Sequence, residues 1–261
     1  MKNNTQVLTN KLAILITARL KSRRLRCKAL LPIGKHNIIT HLIKRLKLVF
    51  SSKNIIIISS TGKQDLALKK IASKEKINFF AGDKNDVLLR MFKAAKKFKL
   101  KNFISCTADN PFADPFIAKK MLKFHIKKSY DMSTTKKLPI GIYTFAVNTE
   151  ALSKIINIKR TKYTEIWGDY FKKLKIFKYG IYGKIPKQYQ IKNLRLTIDE
   201  KNDYELARKI MHFSKSDIPT LNEIFKILRK KPKLMRINSN VKQKKNPKIK
   251  IKKKYNYLLN K

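Results

Sequence analysis

Residues 12–17, Leu12-Ala-Ile-Leu-Ile-Thr17, form an apolar run that passes directly into a basic stretch, Ala18-Arg-Leu-Lys-Ser-Arg-Arg-Leu-Arg-Cys-Lys-Ala-Leu30. A short apolar run of this kind is typical of a strand that is buried on both faces of a parallel sheet. From there to residue 213, β-like runs alternate with amphipathic helical patterns. Because this alternation is typical of βαβ units, we predict an α/β fold with a mostly parallel sheet.

The same periodicity predicts where the individual elements lie. The predicted strands are 12–17, 54–59, 77–80, 102–106, 143–147, 176–182 and 194–198. The predicted helices are 38–50, 64–74, 86–98, one that Asp114 and Pro115 open, one that ends at 211, and 219–230. We expect the runs 143–147 and 176–182 to build a small antiparallel extension.

Positive charge dominates the composition. The 261 residues include 63 Lys and Arg against 16 Asp and Glu, which gives a formal net charge of +47. Taken alone, this excess favours nucleic acid or an anionic membrane as partner. The excess is mostly Lys and is spread over every segment, which is more typical of an AT-rich coding background than of a binding patch. Evenly spread charge also attracts small anionic substrates, so composition leaves both interpretations open.

Other classes of protein are disfavoured. Cys27 and Cys106 have neither CxxC nor paired spacing, so we predict no zinc site and no disulfide. No apolar run approaches the roughly 18 residues that span a bilayer. The run 12–18 is short and lacks a small-residue cleavage site, which argues against a signal peptide. We therefore expect a cytoplasmic protein without a membrane segment.

The basic stretch 18–30 leaves the carboxyl end of the first predicted strand, where open α/β sheets bind ligands. Cationic side chains and backbone N–H groups in such a loop are suited to phosphate. A solvated loop in a Lys-rich chain is the alternative. The stretch is neither a Walker A loop nor a GxGxxG fingerprint, which argues against a P-loop enzyme and a dinucleotide-binding protein.

Two aspartates follow predicted strands further along the chain. Asp109 lies in Thr107-Ala-Asp-Asn-Pro-Phe-Ala-Asp-Pro115, and Asp199 directly follows the run 194–198. Carboxylate oxygens are ligands that Mg²⁺ takes, usually together with substrate phosphates. The alternatives are that Asp109 caps a turn before Pro111 and that Asp199 is a helix N-cap.

These segments together resemble the cytidylyltransferases that make CMP-linked sugars. That family includes the CMP-KDO and acylneuraminate synthetases and proteins like spore coat polysaccharide biosynthesis protein F. Segments 107–115 and 194–206 are similar to the family patterns T-G-D-x-P-L-I-D-P and L-R-L-T-V-D-T-P-E-D-F-E-L. The family loop A-R-x-x-S-x-R-L-x-x-K-x-L is matched by Ala18, Arg19, Ser22, Arg24, Leu25, Lys28 and Leu30.

The resemblance implies a three-layer, Rossmann-like fold of the nucleotide-diphospho-sugar transferase type. It implies transfer of CMP from CTP to a sugar or sugar acid with release of pyrophosphate, for surface polysaccharide or glycan biosynthesis. By resemblance, Asp109 and Asp199 hold Mg²⁺, and Arg19 and Lys28 are catalytic cations on the CTP phosphates. The nucleotide-binding residues that it implies are Ala18, Arg19, Ser22, Arg24, Lys28, Asp86, Arg90, Thr107 and Ala108, with Asp86 and Arg90 drawn from the G-x-x-x-D-V-L-x-R match at 82–90. The alternatives are that Asp86 only caps the following helix and that Arg90 lies on a solvated helix face.

The chain departs from the family pattern at three places. Arg26-Cys27 stands where the family usually has Pro-Gly, and Ala108 replaces a Gly. Residues 161–167, on the acceptor side by resemblance, lack the His and Pro of the family's E-H-V-T-P-Y. The identity of the acceptor sugar is therefore left open.

Residues 1–230 are predicted to form the catalytic domain, and 231–261 a basic tail that is either disordered or loosely docked. We expect deletion of the tail to spare catalysis. Two rival functions are a nucleotidyltransferase of the same fold with another substrate or lost activity, and a basic nucleic-acid-binding protein. The resemblance also implies a homodimer. We expect no specific nucleic-acid partner and no membrane partner.

Overall fold

The computed structural model describes residues 12–21, 24–243 and 246–259, so Ser22 of the predicted site lies outside the described residues. The helices are α1 (Ile38–Lys47), α2 (Leu66–Lys74), α3 (Val87–Lys97), α4 (Pro115–Lys127), α5 (Thr149–Ile158), α6 (Gly168–Lys173), α7 (Lys201–Phe213) and α8 (Leu221–Lys230). The strands are β1 (Ala13–Thr17), β2 (Pro32–Ile33), β3 (His36–Asn37), β4 (Ile55–Ser60), β5 (Asn78–Gly82), β6 (Asn102–Thr107), β7 (Met132–Thr135), β8 (Phe145–Asn148) and β9 (Tyr179–Tyr182).

Seven strands form the main sheet in the order β5-β4-β1-β6-β8-β7-β9. Strand β1 pairs in parallel with both β4 and β6, and β4 pairs in parallel with β5. Strand β8 runs antiparallel to β6 and β7, whereas β9 runs parallel to β7. The prediction of a mostly parallel sheet with a small antiparallel part is confirmed, and the run 143–147 supplies its antiparallel strand, β8. The expectation that 176–182 is antiparallel is wrong, because β9 pairs with β7 in parallel. Strands β2 and β3 add a two-stranded antiparallel sheet.

Helices cover both faces of the sheet. Along β1, Ile14 and Ile16 pack into a core that α1, α2, α4, α7 and α8 complete, while Ala13 and Leu15 pack on the other face with α3, α5 and α6. Side chains of successive strand residues point to opposite faces, so an uninterrupted apolar run is what a central strand between two helical layers requires. The predicted three-layer architecture follows from this burial.

Polar residues fix where several helices begin. In each case the side chain accepts a hydrogen bond from a backbone N–H in the first helical turn, which would otherwise lack a partner. These N-caps are Asn37, Asp86, Asp114, Asn148 and Thr220. The predicted role of Asp114 is confirmed, because its Oδ1 accepts from Ile117 N at 2.7 Å.

The predicted strand 194–198 is wrong, although the segment does lead to Asp199. Arg195 makes only an isolated bridge with Ile140, and Ile198 N donates to Asp109 O at 2.8 Å. The apolar alternation that predicted a strand reflects burial of these side chains in the core and not pairing within the sheet. Gly141 allows the close approach, since its φ is +100° and a Cβ there would lie 2.2 Å from Thr197 N.

The C-terminal residues that the structure describes are docked onto the domain. Ile251 bridges to Lys159 at the end of α5, Leu259 bridges to Leu174 after α6, and Ile251 is buried. Of the two alternatives for the tail, the structure therefore has the docked one over 246–259. No helix in the described part of the chain is long and apolar enough to cross a membrane.

Candidate active site

Three segments meet at the carboxyl edge of the sheet beside β1 and β6. Lys28, from the loop after β1, donates from Nζ to Asp109 Oδ2 at 2.6 Å and to Asp199 Oδ1 at 2.9 Å. The same nitrogen donates to Ile198 O at 3.0 Å. The two aspartates, 90 positions apart in the sequence, thus converge on the ammonium group of one lysine.

Asp109 is held by polar neighbours on its own turn. Thr107 Oγ1 donates to Asp109 Oδ1 at 2.5 Å, and Asn110 Nδ2 donates to Thr107 Oγ1 at 2.9 Å. Among the described residues, the hydrogen-bond donors to this carboxylate are the Thr107 hydroxyl and the Lys28 ammonium. Asp109 is therefore directed toward Lys28 and does not cap the turn.

Asp199 is surrounded by cations. Its Oδ1 pairs with Lys28 and, at 3.0 Å, with Arg24 NH2, while its Oδ2 accepts from Arg195 NH2 at 2.6 Å. Helix α7 begins after Glu200, and Asp203 accepts from Glu200 N and Asp199 N at 3.1 and 3.0 Å. The alternative that Asp199 is the N-cap is therefore wrong, and its carboxylate remains directed toward the site.

The charges stabilise one another's ionised forms. Burial acts to lower the pKa of Lys28, but the charges of Asp109 and Asp199 and their hydrogen bonds prevail, so the pKa is raised. Burial acts to raise the pKa of Asp199, but Lys28, Arg24 and Arg195 lower it. The site therefore favours the charged forms of both Lys28 and Asp199.

These carboxylates fit a hard divalent cation. The Lys28 ammonium already occupies a position within 2.6 and 2.9 Å of one oxygen from each, which marks where a small cation would be bound. Among the described residues no group of three or more His, Cys, Asp or Glu forms a complete metal site. Two carboxylates with the remaining ligands from water and substrate phosphates are the usual arrangement for Mg²⁺.

Ala18 and Ala108 contribute backbone contacts that anchor the loops. Ala18 N donates to Ile58 O at 3.1 Å and its carbonyl accepts from Ser59 Oγ at 2.8 Å. Ala108 N donates to Thr17 O at 3.0 Å. Both methyl groups are buried, so these residues set the path of the chain on which the charged side chains stand.

Arg19 points away from the two aspartates into a neighbouring cleft. Its NH2 donates to Glu165 Oε1 at 2.8 Å, and both side chains are partly exposed. The cleft has a volume of about 240 Å³ and is lined by Arg19, Asn85, Tyr163, Glu165, Ile166 and Pro247. The structure therefore brings Lys28 and Arg24 to the aspartates directly, whereas Arg19 lies on the side of residues 161–167.

Asp86 and Arg90 are both occupied by contacts inside the protein. The alternative that Asp86 caps the following helix is confirmed, and the alternative that Arg90 lies on a solvated helix face is wrong. Asp86 caps α3, pairs with the buried Lys159 and accepts from Thr164 Oγ1 at 2.8 Å. Arg90 is 1% exposed and donates to Asp83 O from Nε and NH2 at 2.9 and 2.7 Å. Because their polar groups are consumed inside the protein, they support the loop that carries Asn85.

Cys27 takes a conformation that suits glycine. Its φ of 49° and ψ of 31° lie in the left-handed region, directly before the short 3₁₀ helix Lys28–Leu30. This is the position at which the family pattern that residues 18–30 resemble has Gly. The turn is therefore formed here at some cost in backbone energy, since side chains disfavour positive φ.

Sequence reasoning missed three buried residues of the site. Arg195 and Asp203 belong to the segment 194–206, and each lies four positions from Asp199, which was a usable signal because Arg195 bonds both acids. Asn238, which donates to Asp203 Oδ1 at 2.8 Å, lies in the predicted tail, where no pattern marks it.

Known proteins share this architecture. A cytidylyltransferase from Leptospira borgpetersenii superposes with a TM-score of 0.80 at 24% identity, over 90% of this chain and 99% of that one. A CMP:2-keto-3-deoxy-manno-octonic acid synthetase complexed with CTP gives a TM-score of 0.57 at 12% identity, over 77% and 98%. At these identities the likeness establishes the fold.

Sequence comparison identifies the family. The chain is 29% identical over 207 residues to the spore coat polysaccharide biosynthesis protein SpsF of Bacillus subtilis, which is 77% of this chain and 86% of that protein. The family model for cytidylyltransferases matches residues 13–253, which include all three segments that meet at Lys28. The chain therefore belongs to the cytidylyltransferase family.

Proposed function

We propose that this protein transfers CMP from CTP to a hydroxyl group of a sugar or sugar acid and releases pyrophosphate. The observation that carries the proposal is the convergence of Asp109 and Asp199 on the Lys28 ammonium at the carboxyl edge of a parallel sheet. Family membership supports CTP as the nucleotide.

Asp109 and Asp199 would hold Mg²⁺. When bound, the ion supplies positive charge at the α-phosphate and lowers the pKa of the attacking hydroxyl. The hydroxyl of Thr107 keeps Asp109 oriented, and Arg195 does the same for Asp199. Each carboxylate thus retains one orienting partner when Lys28 leaves it.

Lys28 and Arg24 would follow the phosphates. With Mg²⁺ held by the two aspartates, the Lys28 ammonium would be repelled by the ion and would pair with the anionic triphosphate instead. Lys28 then stabilises the charge that develops on departing pyrophosphate, as cations do in phosphoryl transfer generally. Arg24, which is paired with Asp199 and with the partly exposed Glu200, adds a second cation from the same loop.

Arg19 would act from the adjoining cleft. Its ion pair with Glu165 is partly exposed, and pairs of that kind are worth at most about 1 kcal/mol, so an anionic substrate can compete for the guanidinium. Glu165 and Asn85 then remain in the cleft as hydrogen-bonding groups for hydroxyls of an acceptor. A role in surface polysaccharide or glycan biosynthesis, by analogy with the name of the Bacillus relative, is part of the proposal.

Pyrophosphate release with each of the four NTPs and a panel of sugars and sugar acids tests the function. We expect Mg²⁺ and CTP to support turnover with at least one acceptor, and ATP, GTP and UTP to support less. Calorimetry provides a second measure, in which CTP binds more tightly than the other three. Equal or tighter binding of another nucleotide would contradict the cytidylyl assignment, and Asp199→Asn is the inactive control.

A further inference from the structure

We propose that the C-terminal segment is part of the active site, and that Asn238 and Gln243 position the Asp199 carboxylate through Arg195. We call residues 238–243 and 246–251 the C-terminal strap. The inference rests on the proposed function, because it concerns the carboxylate that would hold the metal. It replaces the expectation that deletion of 231–261 spares catalysis.

The Arg195 guanidinium is the link between the strap and the site. Its NH2 donates to Asp199 Oδ2 at 2.6 Å, its Nε donates to Asp203 Oδ1 at 3.0 Å, and its NH1 donates to Gln243 Oε1. Arg195 is buried, so each of these hydrogen bonds satisfies an N–H donor that would otherwise lack a partner. The orientation of the group that holds Asp199 therefore depends on a residue of the strap.

Asn238 holds the other side of the same network. Its amide is buried and donates from Nδ2 to Arg195 O at 3.0 Å and to Asp203 Oδ1 at 2.8 Å. The other oxygen of Asp203 accepts from the backbone N–H of Asp199. Asn238 therefore holds the Asp203 carboxylate in place. Asp203 in turn bonds the Asp199 backbone and Arg195, the side-chain partner of Asp199.

The far half of the strap reaches the Arg19 cleft. Asn246 Nδ2 donates to Asp169 Oδ1 at 3.1 Å, Pro247 lines the cleft, and Lys250 O accepts from Arg160 N at 2.8 Å. The strap thus has anchors on the Asp199 side and on the Arg19 side. Because the strap is held at both sides of the site, we expect the geometry of the site to require it, whatever the charge of the strap.

A purely structural role is the alternative, and metal affinity separates the two. Removing a hydrogen-bond partner behind a metal ligand typically weakens metal binding 10- to 100-fold, because the ligand loses its orientation. A group that only stabilises the fold lowers the melting temperature, but well below that temperature the folded molecules still bind metal normally.

Asn238→Ala is the test, with Asn240→Ala as the matched control, since Asn240 is exposed on the same turn. The probe is Mn²⁺, titrated by calorimetry in the presence of α,β-methylene CTP, a nucleotide that cannot release pyrophosphate. We expect Asn238→Ala to raise the Kd for Mn²⁺ about tenfold and Asn240→Ala to leave it unchanged. An unchanged Kd in Asn238→Ala with a lowered melting temperature would overturn the proposal.

A metal-independent measurement separates failure of this inference from failure of the proposed function. In the wild type, the Arg195 Nε–H should give a protected NMR signal that Asn238→Ala broadens or shifts and Asn240→Ala does not. If the wild-type protein binds no Mn²⁺, the proposed function fails, and this signal alone decides the positioning role. If Asn238→Ala does not fold, Gln243→Ala tests the positioning role instead, because Gln243 is exposed and its loss should not prevent folding. We expect this variant to weaken Mn²⁺ binding about threefold, which is below the usual range for partners of a metal ligand.

Discussion

Two charged clusters follow strands at the same edge of the sheet, and they differ in what surrounds them. The site cluster consists of Lys28, Asp109 and Asp199, whose side chains are 16, 23 and 15% exposed. The support cluster includes Asp86 and Lys159, whose side chains are 3 and 7% exposed. Family motifs match residues in both clusters, so the motifs alone do not separate charges that serve a substrate from charges that serve the fold.

The difference lies in the partners. Asp86 bonds the first turn of α3 and the Thr164 hydroxyl, so its oxygens are used by fixed groups. In the site cluster one lysine on a loop bridges two carboxylates, and the proposed function requires that lysine to give way to another cation. Among the described residues, the hydrogen bonds of the two site carboxylates are to side chains, whereas the Asp86 carboxylate also bonds the backbone of α3.

The largest effect is expected from breaking the support cluster. Lys159→Met leaves the Asp86 carboxylate buried without its cation, and removal of one partner from a buried pair costs about 3–5 kcal/mol of unfolding free energy. Turnover per folded molecule should stay near wild type, since neither side chain contacts Lys28 or the aspartates. Urea denaturation and active-site-normalised pyrophosphate release measure the two quantities.

Two further variants control this prediction. Lys154→Met, at an exposed position of α5, should change the unfolding free energy little. The double variant Asp86→Asn with Lys159→Met should recover part of the lost stability, because no unpaired charge then remains buried. A large loss of turnover in a folded Lys159→Met protein would return Asp86 to the substrate site.

The site cluster should give the opposite result. Asp109→Asn and Asp199→Asn should each reduce turnover by two orders of magnitude or more, which is roughly 3 kcal/mol of barrier, because the metal loses a carboxylate. Melting temperatures should stay within a few degrees of wild type, since a partly exposed ion pair contributes at most about 1 kcal/mol. Steady-state kinetics and calorimetric scans check both parts.

Asp217→Asn is the matched control, because Asp217 forms an exposed ion pair with Lys35. It should change neither turnover nor melting temperature. Normal turnover in both Asp109→Asn and Asp199→Asn would refute the catalytic interpretation of the cluster.

The sequence predicts the central sheet well because its strands are apolar on both faces. Strands such as β1 and β4 read as continuous apolar runs, whereas β7 (Met132–Thr135) is buried but polar in sequence and was not predicted. The aspartates of the site could be predicted because each follows a recognisable segment. The buried support role of Arg90 and the contact of Asn238 could not, because both depend on long-range packing that leaves no local pattern.

His41 adds a third environment, that of a buried titratable group. Among the described residues neither ring nitrogen has a hydrogen-bond partner, and the ring packs edge-on against Phe112. Burial first, and then the charges of Arg45 and His36, lower its pKa to about 3. The unfolded chain therefore binds a proton between about pH 6.5 and pH 3 that the folded protein does not, so the unfolding free energy falls as pH falls through that window.

His41→Leu should remove this acid sensitivity. At pH 5 the gain relative to wild type should be about 2 kcal/mol more than at pH 7.5, from 1.36 kcal/mol per pKa unit. Urea denaturation at the two pH values measures it, with the exposed His212→Leu as control. A pH-independent difference between His41→Leu and wild type would mean that His41 is charged or solvated in the folded state.

The smallest effect concerns backbone strain in the loop of the site. Cys27→Gly relieves a left-handed conformation that costs a side-chain-bearing residue about 1–2 kcal/mol, while the added freedom of the unfolded chain offsets about 0.4–1 kcal/mol. The net gain should therefore lie between about 0 and 1.6 kcal/mol, or up to roughly 6 °C in melting temperature. Lys76→Gly is the matched comparison, because Lys76 has a φ of 52° far from the site.

The two glycine variants separate strain from site geometry. If the positive φ alone matters, both should raise the melting temperature similarly and leave turnover unchanged, since glycine retains the turn that presents Lys28. A gain in turnover confined to Cys27→Gly would show that the cysteine restrains the movement of Lys28 between the aspartates and the phosphates. A fall in melting temperature for Cys27→Gly would mean that the side chain contributes more packing energy than the backbone loses, because Cys27 is partly buried against the core.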